Sequence, residues 1–226
     1  MALSLRLESI ISLIKPANLL VDIGTDHGLL LIECVNQNII SYGIGIDNKK
    51  GPLAIAQRNI NNANLDDRIS LLLSEGATSL TTKADTWVIA GLGGETILEI
   101  IEQSLDKAQA LKQLVLAPHS KIDLVRKQLA LLGFTIEEEL LVEDDKFYII
   151  LSVHYDGLSK ELSLRDQLLG KLPKDATYYK YIIDLINKLS DIIEKQSIPN
   201  KYYQEVLEIF NQEFYSNQQD QKGLEN

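Results

Sequence analysis

The sequence predicts an α/β fold in which a Rossmann-like, mostly parallel sheet ends in an antiparallel hairpin and is followed by a C-terminal helical domain. Short apolar segments alternate with helical segments between residues 19 and 132, and parallel strands need such helical crossovers. Residues 135–142 and 146–153 form two strand-like segments. The link between them is so short that only an antiparallel hairpin fits. From about Ser159 onward the pattern contains helical spacing alone.

The individual elements follow from the spacing of apolar residues and from the turn residues between them. Apolar residues recur at helical spacing over residues 3–14, and Pro16 ends that helix. The predicted parallel strands are 19–23, 42–47, 69–73, 86–90 and 113–117. The predicted helices that connect or follow them are 28–36, 51–63, 94–104 and 122–132.

We predict three regions: a cofactor-binding domain over residues 1–157, a helical hairpin over 158–216 and a polar, disordered tail over 217–226. Two apolar stripes at helical spacing flank a turn at 197–200. Such stripes pack against each other in coiled-coil fashion or dock on the main domain. The hairpin is either an arm that grips a substrate or a structural cap or dimer element.

The composition indicates a soluble globular protein that resides in the cytoplasm. The chain has 226 residues, of which 45% are hydrophobic and 24% are charged. No apolar run approaches the roughly 20 residues of a membrane span, and the N-terminal segment lacks the pattern of a signal peptide. The single cysteine, Cys34, excludes an internal disulfide. The net charge of −10 argues against nucleic-acid binding by overall charge but leaves a local basic face possible.

The segment V-D-I-G-T-D-H-G, residues 21–28, lies where the first strand gives way to the first helix. Ligands of α/β sheets bind beyond the carboxyl ends of the strands. Gly24 allows a tight turn that brings backbone N–H groups close to a ligand. Asp22 can brace this loop or meet a cationic ligand group, and Thr25 and His27 are further predicted cofactor contacts.

Asp26 in this loop decides which cofactor the sequence favours. A dinucleotide fold would carry G-x-G-x-x-G, so that a pyrophosphate could sit on the helix N-terminus, and that pattern is absent. A carboxylate at this point would repel a pyrophosphate. It suits an ammonium or sulfonium ligand such as S-adenosyl-L-methionine. The sequence therefore favours methyl transfer over the hydride transfer of an NAD-dependent oxidoreductase.

Acidic residues follow the next two strands. Asp47 ends the second strand, 23 residues after Gly24, and an acid at about this spacing accepts the ribose hydroxyls of adenosine cofactors. We predict that its neighbour Asn48 also contacts the cofactor. Glu75 and Gly76 follow the third strand, where an acid or its backbone can meet the adenine amino edge.

Two further loops border the same predicted crevice. A-G-L-G-G, residues 90–94, follows the fourth strand, and we assign Gly91, Leu92 and Gly93 to the cofactor and Gly94 to the substrate. Adenine amino-group methyltransferases usually have an Asn/Asp-Pro-Pro-aromatic segment there, so a ring nitrogen is the favoured target. The fifth strand ends in two further substrate candidates, Pro118 and His119. His119 is a proton acceptor, a phosphate contact or an ordinary surface histidine. The spacing of the histidines predicts no metal site.

These segments, in this order, resemble the TrmK family of bacterial tRNA (adenine-22 N1)-methyltransferases. The resemblance covers roughly residues 1–155 and rests on an ordered series of motifs. They are L-S-x-R-L (3–7), D-I-G-T-D-H-G (22–28), G-P (51–52), A-G-L-G-G (90–94), the strand ending in Pro118, and F-Y-I-I (147–150). The chain departs from the family where Ala-Tyr-Leu-Pro is usual, at residues 28–31. It also has Leu92 in place of a methionine and His119 in place of an asparagine.

The resemblance implies methylation of N1 of adenosine 22 in the D-loop of tRNA, with S-adenosyl-L-methionine as donor and Asp26 as the catalytic carboxylate beside the methyl group. It implies tRNA as partner and no membrane. RNA contacts need a local basic surface, and we predict that some of the basic residues near the predicted crevice or the N-terminal helix contact phosphates: Arg6, Lys15, Lys49, Lys50, Lys121, Arg126 and Lys127. Of these, we assign Arg6, Lys121, Arg126 and Lys127 to the substrate. We expect a monomer. The alternatives are a small-molecule methyltransferase and a non-catalytic nucleotide-binding or coiled-coil interaction module.

Overall fold

The computed structural model describes residues 3–223, and the chain forms two compact units that divide after Lys171. The first unit is built on one sheet. Its strands are β1 (Ala17–Ile23), β2 (Ile40–Asp47), β3 (Ile69–Leu73), β4 (Thr86–Ala90), β5 (Gln113–Ala117), β6 (Phe134–Glu143) and β7 (Phe147–Tyr155). The helices of this unit are α1 (Leu5–Leu13), α2 (Leu29–Asn36), α3 (Lys50–Asn62), α4 (Gly94–Gln103), α5 (Leu105–Gln109), α6 (Ile122–Leu131) and α7 (Leu164–Leu169).

The sheet has seven strands in the order β3-β2-β1-β4-β5-β7-β6, which confirms the predicted fold class. β1 pairs in parallel with β2 on one side and with β4 on the other. β7 runs antiparallel to both β5 and β6. The chain thus builds outward from β1 to β3 and then returns to β4 on the opposite side. Such a reversal of strand order opens a crevice at the carboxyl ends of the strands.

The central strands are buried along almost their whole length. Every residue of β5 and all but the last of β4 are buried, as expected for parallel strands that helices cover on both faces. The apolar core contains the side chains of Leu20, Val88 and Val115 from three neighbouring strands. Cys34 also lies in this core, and burial raises the pKa of its thiol to about 12.

Helix α1 begins at Ser4, whose side-chain oxygen accepts a hydrogen bond from the N–H of Leu7, an N-cap of the usual kind. Its apolar face is buried through Ile10, Ile11 and Leu13. The helix packs against β5, β6 and β7. This packing carries Arg6, on the first turn, to the edge of the sheet where β5 ends.

Arg126 lies in the interior, and its predicted role as a phosphate contact is wrong. Its side chain is 1% exposed and pairs with Glu139, with 2.7 Å between Nη2 and Oε2. Nε donates to the second carboxylate oxygen of Glu139 at 3.2 Å. Nη1 donates to the backbone carbonyls of Gln167 and Leu168. Arg126 therefore links α7 to α6 and β6, and its side chain is not accessible to RNA.

This contact explains why the first unit ends later than residue 157, the boundary that the sequence predicts. The short helix α7 starts at Ser163, whose side chain accepts a hydrogen bond from the N–H of Asp166. It packs on α6 and therefore belongs to the sheet-containing unit. The sequence pattern predicts neither α7 nor α5, because helices of six and five residues are too short to show an apolar period.

The second unit contains helices α8 (Ala176–Glu194) and α9 (Lys201–Gly223), which pack against each other. The predicted helical hairpin is confirmed, whereas a coiled-coil geometry stays a prediction. Tyr178 donates its hydroxyl proton to Glu213 at 3.0 Å, and Lys174 approaches the same carboxylate at 2.7 Å. The prediction of disorder from residue 217 is wrong up to residue 223, because α9 continues to Gly223. Residues 224–226 lie outside the described part of the chain.

Within residues 3–223, no helix combines the length and the apolarity that a membrane crossing requires.

We expect the change Arg126→Met to lower the free energy of unfolding by roughly 3 kcal/mol, because it leaves the Glu139 carboxylate buried without its cation. Urea denaturation of purified protein measures this loss. The matched control is Lys127→Met, one residue away but exposed, which we expect to change the free energy by less than about 0.5 kcal/mol. Equal stabilities of the two variants would contradict the buried ion pair.

Candidate active site

A cleft of about 720 Å³ opens beyond the carboxyl ends of β1, β2, β3, β4 and β5, a size typical of small-molecule sites. It lies at the reversal of strand order next to β1, as the sequence predicts for this fold. Twelve of the predicted site residues line it: Arg6, Asp22, Gly24, Asp26, His27, Asp47, Asn48, Glu75, Gly76, Gly91, Leu92 and His119.

The loop after β1 is held to the neighbouring strand by its own backbone. Gly24 has a φ of +86°, a conformation that strongly favours glycine. The N–H groups of Gly24 and Thr25 both donate to the carbonyl of Ile46, at 2.8 and 2.9 Å. Gly24 therefore makes the tight turn that the sequence predicts, and its own amide is used within the fold. Thr25 is buried, and its methyl group fills the space beside Gly45, where any Cβ would collide with it. Thr25 thus anchors the loop from beneath.

Asp22 presents a buried carboxylate to the cleft. Asp22 is 8% exposed. Burial raises the pKa of its carboxyl to about 6; the Thr25 hydroxyl partly offsets this shift, and the charge of Asp47 adds to it. Among residues 3–223, no lysine or arginine forms an ion pair with it. A buried and unpaired carboxylate is costly unless a cation reaches it. The arrangement therefore suits a cationic group of a ligand.

One end of the cleft is polar and acidic. The amide of Asn48 donates to both carboxylate oxygens of Glu75, at 3.4 and 3.3 Å. The carboxylate of Asp47 accepts a hydrogen bond from the N–H of Lys49 at 2.8 Å, which fixes its position at the end of β2. Carboxylates held in this way can accept hydrogen bonds from the hydroxyl and amino groups of a nucleoside.

Asp26 and His27 lie at the opening of the cleft. The Asp26 carboxylate is 3.0 Å from Nε2 of His27, and their side chains are 70% and 47% exposed. The Asp26 charge is thus available to a group that enters from solvent.

Three side chains from distant parts of the sequence meet at the other end of the cleft. Nη1 of Arg6 is 2.8 Å from Nε2 of His119. The guanidinium carbon of Arg6 lies 5.0 Å from the centre of the Tyr148 ring, and the rings of His119 and Tyr148 are 5.9 Å apart. The Tyr148 hydroxyl donates to Asp145 at 2.7 Å. We call Arg6, His119, Tyr148 and Asp145 the arginine–histidine cluster.

The remaining predicted residues lie outside the cleft lining. They are Thr25, Gly93, Gly94, Pro118, Lys121, Arg126 and Lys127. A Cβ on Gly94 would stand 2.6 Å from the carbonyl oxygen of Ser120, so this glycine serves the packing of α4 rather than a substrate. Pro118 is buried. Lys121 is exposed, with Nζ 3.6 Å from Glu95, and Lys127 is exposed on α6.

The sequence reasoning missed one wall of the cleft. Four residues of α4 line it: Thr96, Glu99, Ile100 and Gln103. Their spacing of three, one and three places them on a single helix face. This spacing, directly after the glycine-rich loop, is the sequence signal that could have identified this wall of the cleft. The position of Tyr148, the second residue of β7, beside Arg6 and His119 was also missed, because this contact joins residues that are far apart in the sequence.

Comparisons with known proteins identify the family of this chain. A family described as a methyltransferase domain matches residues 3–151. The tRNA (adenine(22)-N(1))-methyltransferase of Bacillus subtilis is 30% identical over 166 residues, which cover 70% of each chain.

The chain belongs to the TrmK family.

Solved TrmK structures share the fold of both units. The M. capricolum TrmK, in complex with S-adenosyl-homocysteine, is 26% identical, with a TM-score of 0.81 over 93% of this chain and 96% of that one. The B. subtilis TrmK is 25% identical, with a TM-score of 0.78 over 95% and 96% of the two chains. In the described part of this TrmK-family chain, no group of three or more His, Cys, Asp or Glu side chains could hold a metal ion.

We expect Asp22→Asn to stabilise this TrmK-family protein when no ligand is bound. The raised pKa means that the folded chain holds the proton of Asp22 more tightly than the unfolded chain. The free energy of unfolding therefore falls as the pH rises from about 4 to about 6. The amide removes that loss, so we expect a gain of roughly 1–3 kcal/mol at pH 7 and none below pH 4.

Urea denaturation at pH 7 and pH 4 measures this difference, and Asp26→Asn, at an exposed carboxylate, is the control without a stability change. An Asp22→Asn protein that is less stable than the wild type at pH 7 would show that the carboxylate is favourably placed in the empty fold.

Proposed function

We propose that this TrmK-family chain transfers the methyl group of S-adenosyl-L-methionine to N1 of adenosine 22 in tRNA. The observation that carries the proposal is the unpaired carboxylate of Asp22 in a cleft with acidic residues at three neighbouring strand ends. The family membership supports the same reaction, since the B. subtilis relative is named for it.

The residues of the cleft fit this cofactor. In this proposal Asp47 accepts hydrogen bonds from the ribose hydroxyls, and Glu75 with Asn48 meets the adenine amino edge; all three line the cleft. Asp22 faces the cleft as the partner for the ammonium group. S-adenosyl-L-methionine supplies an electrophilic methyl group on a sulfonium when it is bound. The N–H groups of Gly24 and Thr25 donate to Ile46 and are not available to a pyrophosphate, and the exposed carboxylate of Asp26 in the same loop would repel one.

Methylation of N1 requires little acid–base catalysis from the protein. N1 of adenine carries a lone pair that can attack the methyl group without prior loss of a proton, and the methylated base is a cation. A carboxylate beside the base stabilises that charge as it develops. Asp26, at the opening of the cleft and exposed, is the residue that we assign to this role. His27, 3.0 Å from it, orients the carboxylate.

The substrate must reach the cleft from a folded RNA, so adenosine 22 has to leave its stack before it reacts. With Arg126 buried and the Arg6 guanidinium in contact with His119, the exposed Lys121 and Lys127 remain as proposed phosphate contacts. The helical hairpin of α8 and α9 remains either a substrate-gripping arm or a structural cap or dimer element. We further propose that the protein acts as a monomer in the cytoplasm.

We expect the wild-type protein to move labelled methyl groups from S-adenosyl-L-methionine to tRNA, with 1-methyladenosine as the product in nucleoside analysis. Asp26→Ala should lower the methylation rate roughly 100-fold, because a transition-state charge loses its counter-charge. Asp106→Ala, at an exposed acid on α5 outside the cleft, should keep the wild-type rate.

Replacement of adenosine 22 by another nucleoside in a transcribed tRNA should abolish labelling. Labelling that persists after this replacement would contradict the target position. Cofactor binding without any labelling of tRNA would move the substrate to the small-molecule class.

A further inference from the structure

We propose that Arg6 is a positioning residue that acts through His119. It holds His119 as a neutral imidazole with its proton on Nδ1, and that N–H donates a hydrogen bond to a ring nitrogen of the target adenine. This inference rests on the proposed function, which supplies adenine as the substrate base.

The protonation state follows from the contact between the two side chains. The guanidinium of Arg6 carries only donors and does not lose its proton in proteins. With 2.8 Å between Nη1 and the ring, Nε2 of His119 must therefore be the acceptor. An imidazole that accepts at Nε2 is neutral and carries its one proton on Nδ1. Within residues 3–223, no acceptor for that proton is found, so it remains available to a ligand.

The surroundings reinforce the neutral state. Partial burial lowers the pKa of His119 below its usual 6.5, and the charges of Lys146 and Arg6 lower it further, against a smaller opposing effect of Asp145. These are the charged groups that face the ring, from α1 and from the turn between β6 and β7. Arg6 is itself held in place over the ring of Tyr148 at 5.0 Å.

The cluster also lies where a target base is needed. The strand ends that line the cleft run in the order β3, β2, β1, β4, β5. Glu75 and Asp47 therefore lie at one end, and His119 at the other. Neighbouring strands are about 4.8 Å apart, so the ends of β2 and β5 are separated by about 14 Å. The His119 ring is 3.9 Å from the point where a Cβ on Gly91 would stand, directly over the loop after β4.

A neutral donor has a chemical purpose at this end. N1 of adenine becomes part of a cation, so an imidazolium beside it would oppose the reaction by like-charge repulsion. The amino group of adenine is a donor, which leaves its other ring nitrogens as acceptors for Nδ1–H. Arg6 was predicted to contact phosphate, but its guanidinium is engaged with His119 and Tyr148. Its charge therefore serves the histidine and not the RNA backbone.

The first test is a ¹⁵N NMR titration of the imidazole of His119, assigned by comparison with His119→Asn. We expect the Nδ1–H tautomer and a midpoint below 6.5 in the wild type. Arg6→Met should raise the midpoint and populate the Nε2–H tautomer. The matched control is Arg68→Met, because Arg68 lies 5.6 Å from the ring centre of Tyr42 but outside the cleft. We expect the control to leave the titration unchanged.

The second test is single-turnover methylation of tRNA as a function of pH. At saturating tRNA and pH 7.5, Arg6→Met should lower the rate about 10-fold, the usual effect of losing one well-placed hydrogen bond. In this variant the fall in rate toward low pH should occur at a higher pH than in the wild type, by the same shift as the His119 midpoint that NMR measures. The affinity for S-adenosyl-homocysteine should stay within about twofold of the wild type, because Arg6 lies at the far end of the cleft.

His119→Asn and His119→Phe complete the test. The asparagine retains a neutral donor, so His119→Asn should keep more activity than His119→Phe at every pH. Its rate should also lack the fall toward low pH that protonation of His119 causes in the wild type. The proposal is overturned if Arg6→Met changes only the tRNA concentration at half-maximal rate and its salt dependence, since that result assigns Arg6 to phosphate. An Nε2–H tautomer in the wild type also overturns it. Failure of the wild type to methylate tRNA would instead reject the proposed function.

Discussion

The reversal of strand order at β1 is the constraint on which the rest of the structure depends. The chain lays β2 and β3 on one side of β1, then returns to add β4 and β5 on the other, and the crevice opens between the two sets of crossovers. The loop after β1 must turn sharply at that point. Gly24 turns it with a φ of +86°, and two hydrogen bonds to Ile46 hold it down. The acidic end and the arginine–histidine cluster then face the same space from opposite sides.

Two buried carboxylates show how the fold separates stability from function. Glu139 has a buried cation, Arg126, and the pair joins β6, α6 and α7. Asp22 has no such cation, and its burial raises the pKa of the carboxyl to about 6. The first carboxylate stabilises the folded chain because it is paired. The second destabilises the chain when no ligand is bound, and we propose that a cationic group of the ligand offsets this cost.

The sheet and the acidic end of the cleft could be predicted from the sequence. Asp22 and Asp47 lie at the ends of strands that the apolar pattern predicts, Glu75 follows a third, and strand ends meet at one edge of a parallel sheet. The interior position of Arg126 was also within reach. It lies four residues after Ile122 and three before the buried Leu129, and so on the apolar stripe of α6. The basic character of the side chain hid that position.

The arginine–histidine cluster could not be predicted in the same way. Arg6 and His119 are 113 residues apart in sequence, and only the packing of α1 on β5, β6 and β7 joins them. The anchoring of Thr25 beneath the loop likewise depends on the absence of a side chain at Gly45, on the next strand. The polar composition of residues 217–223 indicated disorder, whereas these residues continue α9. The composition of these residues alone does not show that they extend a helix that begins at Lys201.

The most direct test of the central claim is a crystal structure of this chain in complex with S-adenosyl-homocysteine. We expect ribose hydroxyls within hydrogen-bond distance of Asp47 and the ammonium group at Asp22. We also expect the sulfur atom to face the space between Gly24 and the arginine–histidine cluster. A ligand with its adenosine at His119, or one bound away from the carboxyl ends of β1 and β4, would contradict it.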